Sequence, residues 1–413
     1  MGQAFSFNFK DYQNLASSIN EYFKNFKMEN KIISEETIKT ITSNLAEGNL
    51  DDMYKIIDDV LKKIDNATLN IAVTGENGSG KSSFIHALRD VDYNAKNTAA
   101  DSVVETTTKP TAYKHPKFPN VVFWELPSIG SPNFQPKEYL KQVKFDKYKF
   151  FIIISATQFN DNDIQLAKTI KDMKKNFYFI RSKVDIDLQN EQKYKPKNFD
   201  REKVLQTIRN NCLHCFRQNQ MDEPQIFMIN SNDVSKYDFS ILTDTVLKDL
   251  SAQKRHIFTL SLPNVTDKII EQKKNSLKQK VWIQAVRAGF FATFPLGGII
   301  SDYDINTVKN SLNDYRVFFG VDDESLKVVA TNLKVPCEQL KAVLESPNML
   351  EKEEDKSVKA TLCQWLEKYC LVVGGLLAAG FYFGKAFSWH IYILDTVSKD
   401  AKILLEKRFS EKK

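Results

Sequence analysis

The segment GENGSGKS, residues 75 to 82, restricts the possible folds of this chain more than any other stretch. It satisfies the pattern G-x-x-x-x-G-K-[ST], it follows the apolar run LNIAVT directly, and SSFIHALRD continues with the character of a helix. A strand, a glycine-rich loop and a helix in this order present backbone amides and a positive helix end to phosphate groups. The sequence therefore predicts an α/β domain that binds a nucleoside phosphate.

The residue types in this loop have separate roles. Lys81 is placed to reach the terminal phosphates, and the Ser82 hydroxyl is placed to ligate Mg²⁺. The glycines allow the backbone to approach the phosphates closely. The predicted phosphate-binding residues are Gly75, Glu76, Asn77, Gly78, Ser79, Gly80, Lys81, Ser82 and Ser83.

The spacing of apolar residues changes twice along the chain. Helical periodicity before Leu69 gives way to five short apolar runs (LNIAVT, NVVFWEL, KFFIIIS, NFYFIRS and QIFMIN), and it returns after about Leu250. The runs, separated by amphipathic stretches, predict a largely parallel sheet flanked by helices. Because 413 residues exceed the roughly 250 that one core usually serves, we expect helical segments over 1–66 and 253–413 and an α/β domain over 67–252.

A second motif indicates which base the nucleotide carries. The run NFYFIRS leads into SKVD, in which Ser182, Lys183 and Asp185 match the guanine motif [NT]-K-x-D except for the serine. A carboxylate at Asp185 can accept both the N1 hydrogen and the exocyclic amino hydrogens of guanine, which adenine does not offer together. We therefore expect GTP and GDP as ligands, with backbone contacts to the guanine oxygen from Asn230, Ser231 and Asn232 after the last strand.

Charge and cysteine content limit the other partners. The formal net charge of +6 comes from charges of both signs mixed along the chain, which does not indicate a nucleic-acid partner. The five cysteines have no disulfide-framework spacing, and the chain begins without a charged-then-apolar leader. Both features predict a reducing, cytoplasmic setting.

Two features predict peripheral contact with a membrane. MGQAFS fits the N-myristoylation pattern with Gly2 and Ser6, and one acyl chain alone gives only marginal attachment. The segment 369–394 is apolar, but its uncharged stretch is shorter than the roughly 20 residues of a spanning helix. The segment 288–300 is shorter still and contains Pro295. Packing in a protein core remains open for both segments.

These motifs together resemble the vertebrate immunity-related GTPases, an interferon-inducible family. The resemblance covers essentially the whole chain and is carried by MGQ, KMENKIIS, NIAVTGENGSGKSSFI, YKHPKFPNVVFWELPSIGS, FFIIISATQF, KKNFYFIRSKVD, KRHIF and YILDTVSKDAKILL. Because Lys81 follows Gly80, the chain is similar to the effector subclass. The resemblance implies a Ras-like G domain with a mainly parallel sheet, inserted into an all-α helical domain built from both chain ends. It also implies nucleotide-dependent homo- or hetero-oligomers with related GTPases, and attack on the membranes of pathogen-containing vacuoles.

The resemblance also draws attention to the two switch segments. Family members read D-L-P-G after the third strand, where the aspartate serves the magnesium shell and the glycine amide meets the γ-phosphate, whereas this chain has Glu125 and Ser128. A side chain at position 128 is expected to hinder that approach. In the first switch, Thr107 matches the family position that closes on Mg²⁺, with Thr106 and Thr108 as alternatives. Glu105 falls where the family uses a glutamate across a dimer.

The candidate catalytic residues are therefore Lys81, Glu105, Thr107 and Glu125, and the candidate magnesium ligands are Ser82 and Thr107. Two functions fit them. The chain is either a GTPase that pairs through its G domain and hydrolyses slowly, or a nucleotide-binding pseudo-GTPase. The second would act by engaging family members, or the parasite kinases and pseudokinases that target the family. Only the sequence ELPS discriminates, and it favours the second function without excluding the first.

The two membrane features predict the outcome of one substitution. Gly2→Ala removes the acylation site while leaving the 369–394 segment, so we expect partial release of the protein from membranes, measured by fractionation of expressing cells. Gln3→Ala, which keeps the acceptor glycine, is the control. Unacylated wild-type protein found entirely in the cytosol would contradict the expectation.

Overall fold

The computed structural model describes residues 9–27, 30–90, 109–129, 135–291, 305–349 and 381–410. The described residues divide into two compact units. The sheet unit comprises Thr68–Leu250 with Ser261–Pro263, and the helical unit comprises residues up to Ala67, Ser251–Leu260 and residues from Asn264 onward.

A six-stranded sheet organises the sheet unit. Its strands are β1 (Leu69–Gly75), β2 (Thr111–Lys114), β3 (Val121–Glu125), β4 (Phe150–Ser155), β5 (Asn176–Arg181) and β6 (Ile226–Met228). Their spatial order is β2-β3-β1-β4-β5-β6, with β2 antiparallel to β3 and every other pair parallel. The carboxyl ends of the parallel strands therefore meet at one edge of the sheet, where ligands bind in open α/β folds.

The helices of this unit lie between strands in sequence, except for the last helix, which follows β6. They are α4 (Lys81–Leu88), α5 (Pro136–Gln142), α6 (Asp161–Asp172), α7 (Val184–Tyr194), α8 (Arg201–Gln218) and α9 (Phe239–Asp249), with 3₁₀ turns at Phe145–Lys147 and Pro196–Asn198. Both faces of the central strands are covered, which is why all six residues of β4, FFIIIS, are buried. Phe159, Phe179 and Phe216 form an aromatic group in the main core, with ring centroids 4.7 to 5.8 Å apart.

A second, smaller cluster of buried side chains joins α7, α8 and β6. Its buried members are Val184 and Leu188 of α7, Leu205 of α8 and Met228 of β6. Partly buried side chains pack around it, namely Phe199, Val204, Ile208 and Tyr237. We call this group the base-side core, because it joins α7, which contains Asp185 of the predicted guanine motif, to the segment that follows β6.

The helical unit contains helices from both parts of the chain. They are α1 (Phe9–Lys24), α2 (Glu35–Ala46), α3 (Leu50–Asp65), α10 (Ala252–Ser261), α11 (Asp267–Phe291), α12 (Ile305–Phe318), α13 (Asp323–Leu333), α14 (Cys337–Lys341) and α15 (Phe381–Ser410), with a 3₁₀ turn at Ser346–Asn348. The α3 sequence buries Met53, Ile57, Val60, Leu61 and Ile64 on one face.

Long-range contacts join the early helices of this unit to the late ones. The Tyr22 ring stacks on Trp282 at 4.9 Å between centroids. The buried Gln279 side chain accepts a hydrogen bond from Ile32 N at 3.2 Å and donates to Asn30 O at 2.7 Å. Residues more than 240 positions apart in sequence are thus in contact. Both ends of the chain therefore contribute to one helical unit, as the resemblance implied.

The α/β domain with a mainly parallel sheet and the accompanying helical unit are confirmed. The strand β2 was not predicted, because TAYK is short and its residues are half-buried or exposed. None of the described helices is both long enough and apolar enough to cross a membrane. Gly2 lies outside the described residues, and of the segment 369–394 only the part from Phe381 onward is described, within α15.

Candidate nucleotide-binding site

The phosphate loop leaves β1 with a backbone that requires glycine. Gly75 has φ +144°, and a Cβ placed on it would lie 2.1 Å from the carbonyl oxygen of Ile154 in β4. Gly80, with φ +94°, is the N-cap of α4, so the helix begins at Lys81. The loop therefore ends at a helix N-terminus, which favours a bound anion.

Lys81 directs its ammonium group back into the loop. It is only 5% exposed, and Nζ donates to Gly75 O at 3.2 Å, Glu76 O at 2.9 Å and Ser128 Oγ at 3.2 Å. Burial lowers the pKa of Lys81, while the charges of Glu125 and Glu76 act in the opposite direction. Three acceptors thus hold a cation beside the loop that is predicted to take phosphate.

Glu125 and Ser128 both contact the phosphate-binding segment. The Ser82 hydroxyl lies 2.9 Å from each carboxylate oxygen of the buried Glu125, to which it donates. The parallel register that pairs Glu125 with Val73 places this carboxylate at the end of β1. The two residues that depart from D-x-x-G therefore meet the predicted magnesium ligand and the predicted phosphate ligand.

The ELPSI segment is attached to its surroundings at three points. Leu126 N donates to Val73 O at 2.9 Å, the Tyr139 hydroxyl donates to Pro127 O at 2.8 Å, and Asn162 Nδ2 donates to Ile129 O at 3.0 Å. These bonds fix the backbone on both sides of Ser128, so its hydroxyl is held towards Lys81.

The predicted guanine motif is tied to the same loop. Ser182 Oγ donates to Ser79 O at 2.6 Å, and Lys183 Nζ donates to Gly78 O at 2.8 Å. Asp185 stands half-buried in the first turn of α7, and its carboxylate forms no hydrogen bond with the parts of the chain that the structure describes. Serine at position 182 therefore provides the link to the loop, and Asp185 retains its acceptors for a ligand.

The predicted contacts to the guanine oxygen lie just beyond β6. Asn230 is buried, and its Oδ1 accepts from Asn232 N at 2.8 Å, while its carbonyl oxygen accepts from Asp233 N at 3.2 Å. These bonds form a tight turn with Ser231 inside it. The turn lies at the same sheet edge as the SKVD segment, since Arg181 pairs with Met228 across β5 and β6.

A network beside the loop was missed by sequence reasoning. Asn160 donates through Nδ2 to the Glu76 carboxylate, and Asn160 and Asp163 form a capping box at the start of α6. Burial raises the pKa of Asp163 to about 7, and the charge of Glu76 adds to the rise. The sequence N-D-N-D before an amphipathic run signals the cap, but it does not reveal the contact with Glu76.

The remaining predicted residues fall into two groups. Asn77 and Gly78 are exposed at the loop tip, Ser83 is exposed on α4, and the buried Ser79 hydroxyl has no hydrogen-bond partner among the described residues. Glu105 and Thr107 lie outside the described residues.

The oxygen atoms of Ser82 and Glu125 suit Mg²⁺, which prefers oxygen ligands and takes few of them from protein. Ser82 would hold the ion directly, with Glu125 beside it.

Comparison with known proteins decides the family. The model of the interferon-inducible GTPase family (IIGP) matches residues 34–408. The chain belongs to the interferon-inducible GTPases.

Several members of this family share most of their length with the chain. Interferon-gamma-inducible GTPase 10 of Mus musculus is 45% identical over 408 residues, covering 99% of this chain and 98% of the relative. Interferon-inducible GTPase 1 of Mus musculus is also 45% identical, covering 98% and 99%. Interferon-inducible GTPase 5 of Rattus norvegicus is 32% identical, covering 92% and 84%. The resemblance found in the sequence is thus confirmed, and membership in this family supports guanine-nucleotide binding.

The geometry of the phosphate loop predicts the effect of two glycine substitutions. Gly75→Ala forces a methyl group against Ile154 O, so we expect a cost of about 1 to 3 kcal/mol and a lower thermal midpoint, by about 2 to 4 °C per kcal/mol. Gly78→Ala meets nothing within 4 Å and carries only the strain of its φ of +73°.

Thermal unfolding of the two variants without nucleotide measures the difference. The Gly75 variant should unfold at the lower temperature. Equal midpoints would show that the loop backbone shifts to relieve the contact.

Proposed function

We propose that the chain is a slow GTPase of interferon-induced, cell-autonomous defence. It binds GTP or GDP with Mg²⁺ and couples the bound nucleotide to oligomerisation with related GTPases through its G domain. It acts from the cytoplasm at endomembranes and at the membranes of pathogen-containing vacuoles, with Gly2 acylation and the 369–394 segment as membrane contacts. Residues 67–252 would form the G domain, and 1–66 with 253–413 the helical domain.

One observation carries the nucleotide-binding part of this proposal. The phosphate loop and the SKVD segment are joined by hydrogen bonds from Ser182 to Ser79 and from Lys183 to Gly78. The segments that we propose to bind phosphate and guanine thereby lie at one sheet edge. Interferon-inducible GTPases 1, 5 and 10 bear names that describe GTP hydrolysis, and we extend that activity to this chain.

Slow turnover follows from the residues at the second switch. The glycine amide of D-x-x-G would have to approach the γ-phosphate, and Ser128 adds a side chain there. A lost hydrogen bond to a charged oxygen is worth about 1.5 to 3 kcal/mol, or one to two decades in rate. The Ser128 hydroxyl also accepts a bond from Lys81, so γ-phosphate and serine compete for one ammonium group.

The same contact favours a second candidate function, a pseudo-GTPase. In that case the chain retains nucleotide but has lost turnover, and it works as a partner or decoy. Its partners would be other family members, or parasite kinases and pseudokinases. The attachment of the ELPSI segment at three points supports this alternative, since a fastened switch closes on the γ-phosphate with difficulty.

The phosphate site is tested first by removing its cation. Lys81→Ala deletes a charge-assisted contact to the terminal phosphates, so we expect affinity for GTP to fall by about ten- to more than a hundred-fold. Titration calorimetry with GTP, GDP and ATP measures the change. Lys203→Ala, at an exposed position of α8, is the matched control and should bind like wild type. Equal affinity of the wild type for ATP and GTP would contradict the assignment of guanine.

The second switch separates the two candidate functions. The double substitution Glu125→Asp with Ser128→Gly restores the family residues, and we expect single-turnover GTP hydrolysis to rise at least about ten-fold. Ser128→Ala serves as a control, because it removes the hydroxyl but keeps a Cβ. Rapid hydrolysis by the unaltered chain would exclude the pseudo-GTPase. Slow hydrolysis that the double change leaves untouched would place the defect elsewhere, in assembly involving Glu105.

A further inference from the structure

The segment that follows β6, residues 229–238, forms a closed loop. At its ends Asp238 N donates to Met228 O at 3.0 Å, and Met228 N donates to Asp238 Oδ2 at 3.0 Å. Ile229 N donates to Arg181 O at 2.9 Å, which aligns the start of the loop with β5. We call residues 229–238 the base loop; its Asn230–Asn232 turn carries the backbone proposed to meet the guanine oxygen.

Arg209 on α8 joins the start of β6 to the end of this loop. Its Nη1 donates to Ile226 O at 2.9 Å, and its Nη2 donates to Asp238 Oδ2 at 3.0 Å. The Asp238 carboxylate is 16% exposed and accepts from Arg209 and Met228 through the same oxygen. Because both side chains are partly buried, this pair is screened less by solvent than an exposed ion pair.

Packing also fixes the end of the loop next to this ion pair. Tyr237, next to Asp238, has φ +61°, which a bulky residue adopts only when its surroundings impose it. Its ring packs against the base-side core, and the Arg201 guanidinium lies 5.2 Å from the ring centroid. The same core contains Val184, the residue before Asp185. The base loop and the guanine carboxylate are therefore positioned by one small set of contacts.

We propose that Arg209 and Asp238 form a positioning pair that sets the contact of the base loop with the 6-oxygen of guanine. The proposal rests on the proposed binding of guanine nucleotides. The side chains of Arg209 and Asp238 do not contact the base themselves. Arg209 holds the Asp238 carboxylate that closes the loop on Met228. The closed loop in turn holds the backbone of the Asn230–Asn232 turn at a fixed distance from the base. Independently of the base loop, the Asp185 carboxylate on α7 accepts hydrogen bonds from the N1 and amino hydrogens of guanine.

The proposal predicts a selective loss that depends on one atom of the base. Arg209→Gln removes the charge and leaves Asp238 without its cationic partner. Affinity for GDP and for inosine diphosphate, which both have the 6-oxygen, should fall together by about ten-fold, as for one lost hydrogen bond. Affinity for 6-thioguanosine diphosphate should change less than about three-fold, because sulfur is already a weak acceptor.

Calorimetry of the full-length protein with these three diphosphates tests the inference. Arg217→Gln is the matched control, because it breaks the exposed Arg217–Glu223 pair on the same helix; it should leave all three affinities unchanged. Arg209→Lys keeps the charge and should recover part of the GDP affinity.

The possible outcomes separate the inference from the proposed function. An equal loss for all three diphosphates would show a general structural role, and no loss would show no role; either overturns the inference alone. Absence of GDP binding by the unaltered chain would overturn the proposed function and the inference with it.

Discussion

The buried ammonium group of Lys81 is the charge around which the candidate site is arranged. A cation removed from water requires partners, and the chain supplies two loop carbonyl oxygens and one hydroxyl. Those carbonyl groups can turn inward only because Gly75 allows the loop to pass within contact of Ile154. The parallel pairing of β1 with β3 and β4 then fixes where Glu125 and Ile154 lie relative to the loop. One charge thus links a backbone conformation, a sheet register and the chemistry of the site.

The sequence predicted the features that depend on local patterns. The phosphate loop, the parallel sheet and the helical chain ends follow from spacing and periodicity, and the structure contains them. The strand β2 was missed because TAYK carries no buried apolar pattern and is defined by its antiparallel pairing with β3. The contact of Asn160 with Glu76 could not be predicted either, because it joins residues 84 positions apart in sequence.

The departures from the switch motif could be found in the sequence, but their effects could not. The sequence indicated that a side chain at position 128 would hinder the approach to the γ-phosphate, but it could not show what the two side chains contact. The structure shows hydrogen bonds from Ser82 to Glu125 and from Lys81 to Ser128. Glu125 and Ser128 thus supply acceptor oxygen atoms to the Ser82 hydroxyl and to the Lys81 ammonium group, and no local sequence pattern reveals these contacts.

The small size of the base-side core has a consequence for the local fluctuations of the sheet unit. This core has four buried members among the described residues, whereas the larger cluster packs aromatic side chains against β4 and β5. Local opening costs least where few apolar contacts must be broken. The buried residues of α7 are Val184 and Leu188 alone, whereas every residue of β4 is buried. Fluctuations of the native protein are therefore expected to expose the amides of α7 to hydrogen exchange before those of β4.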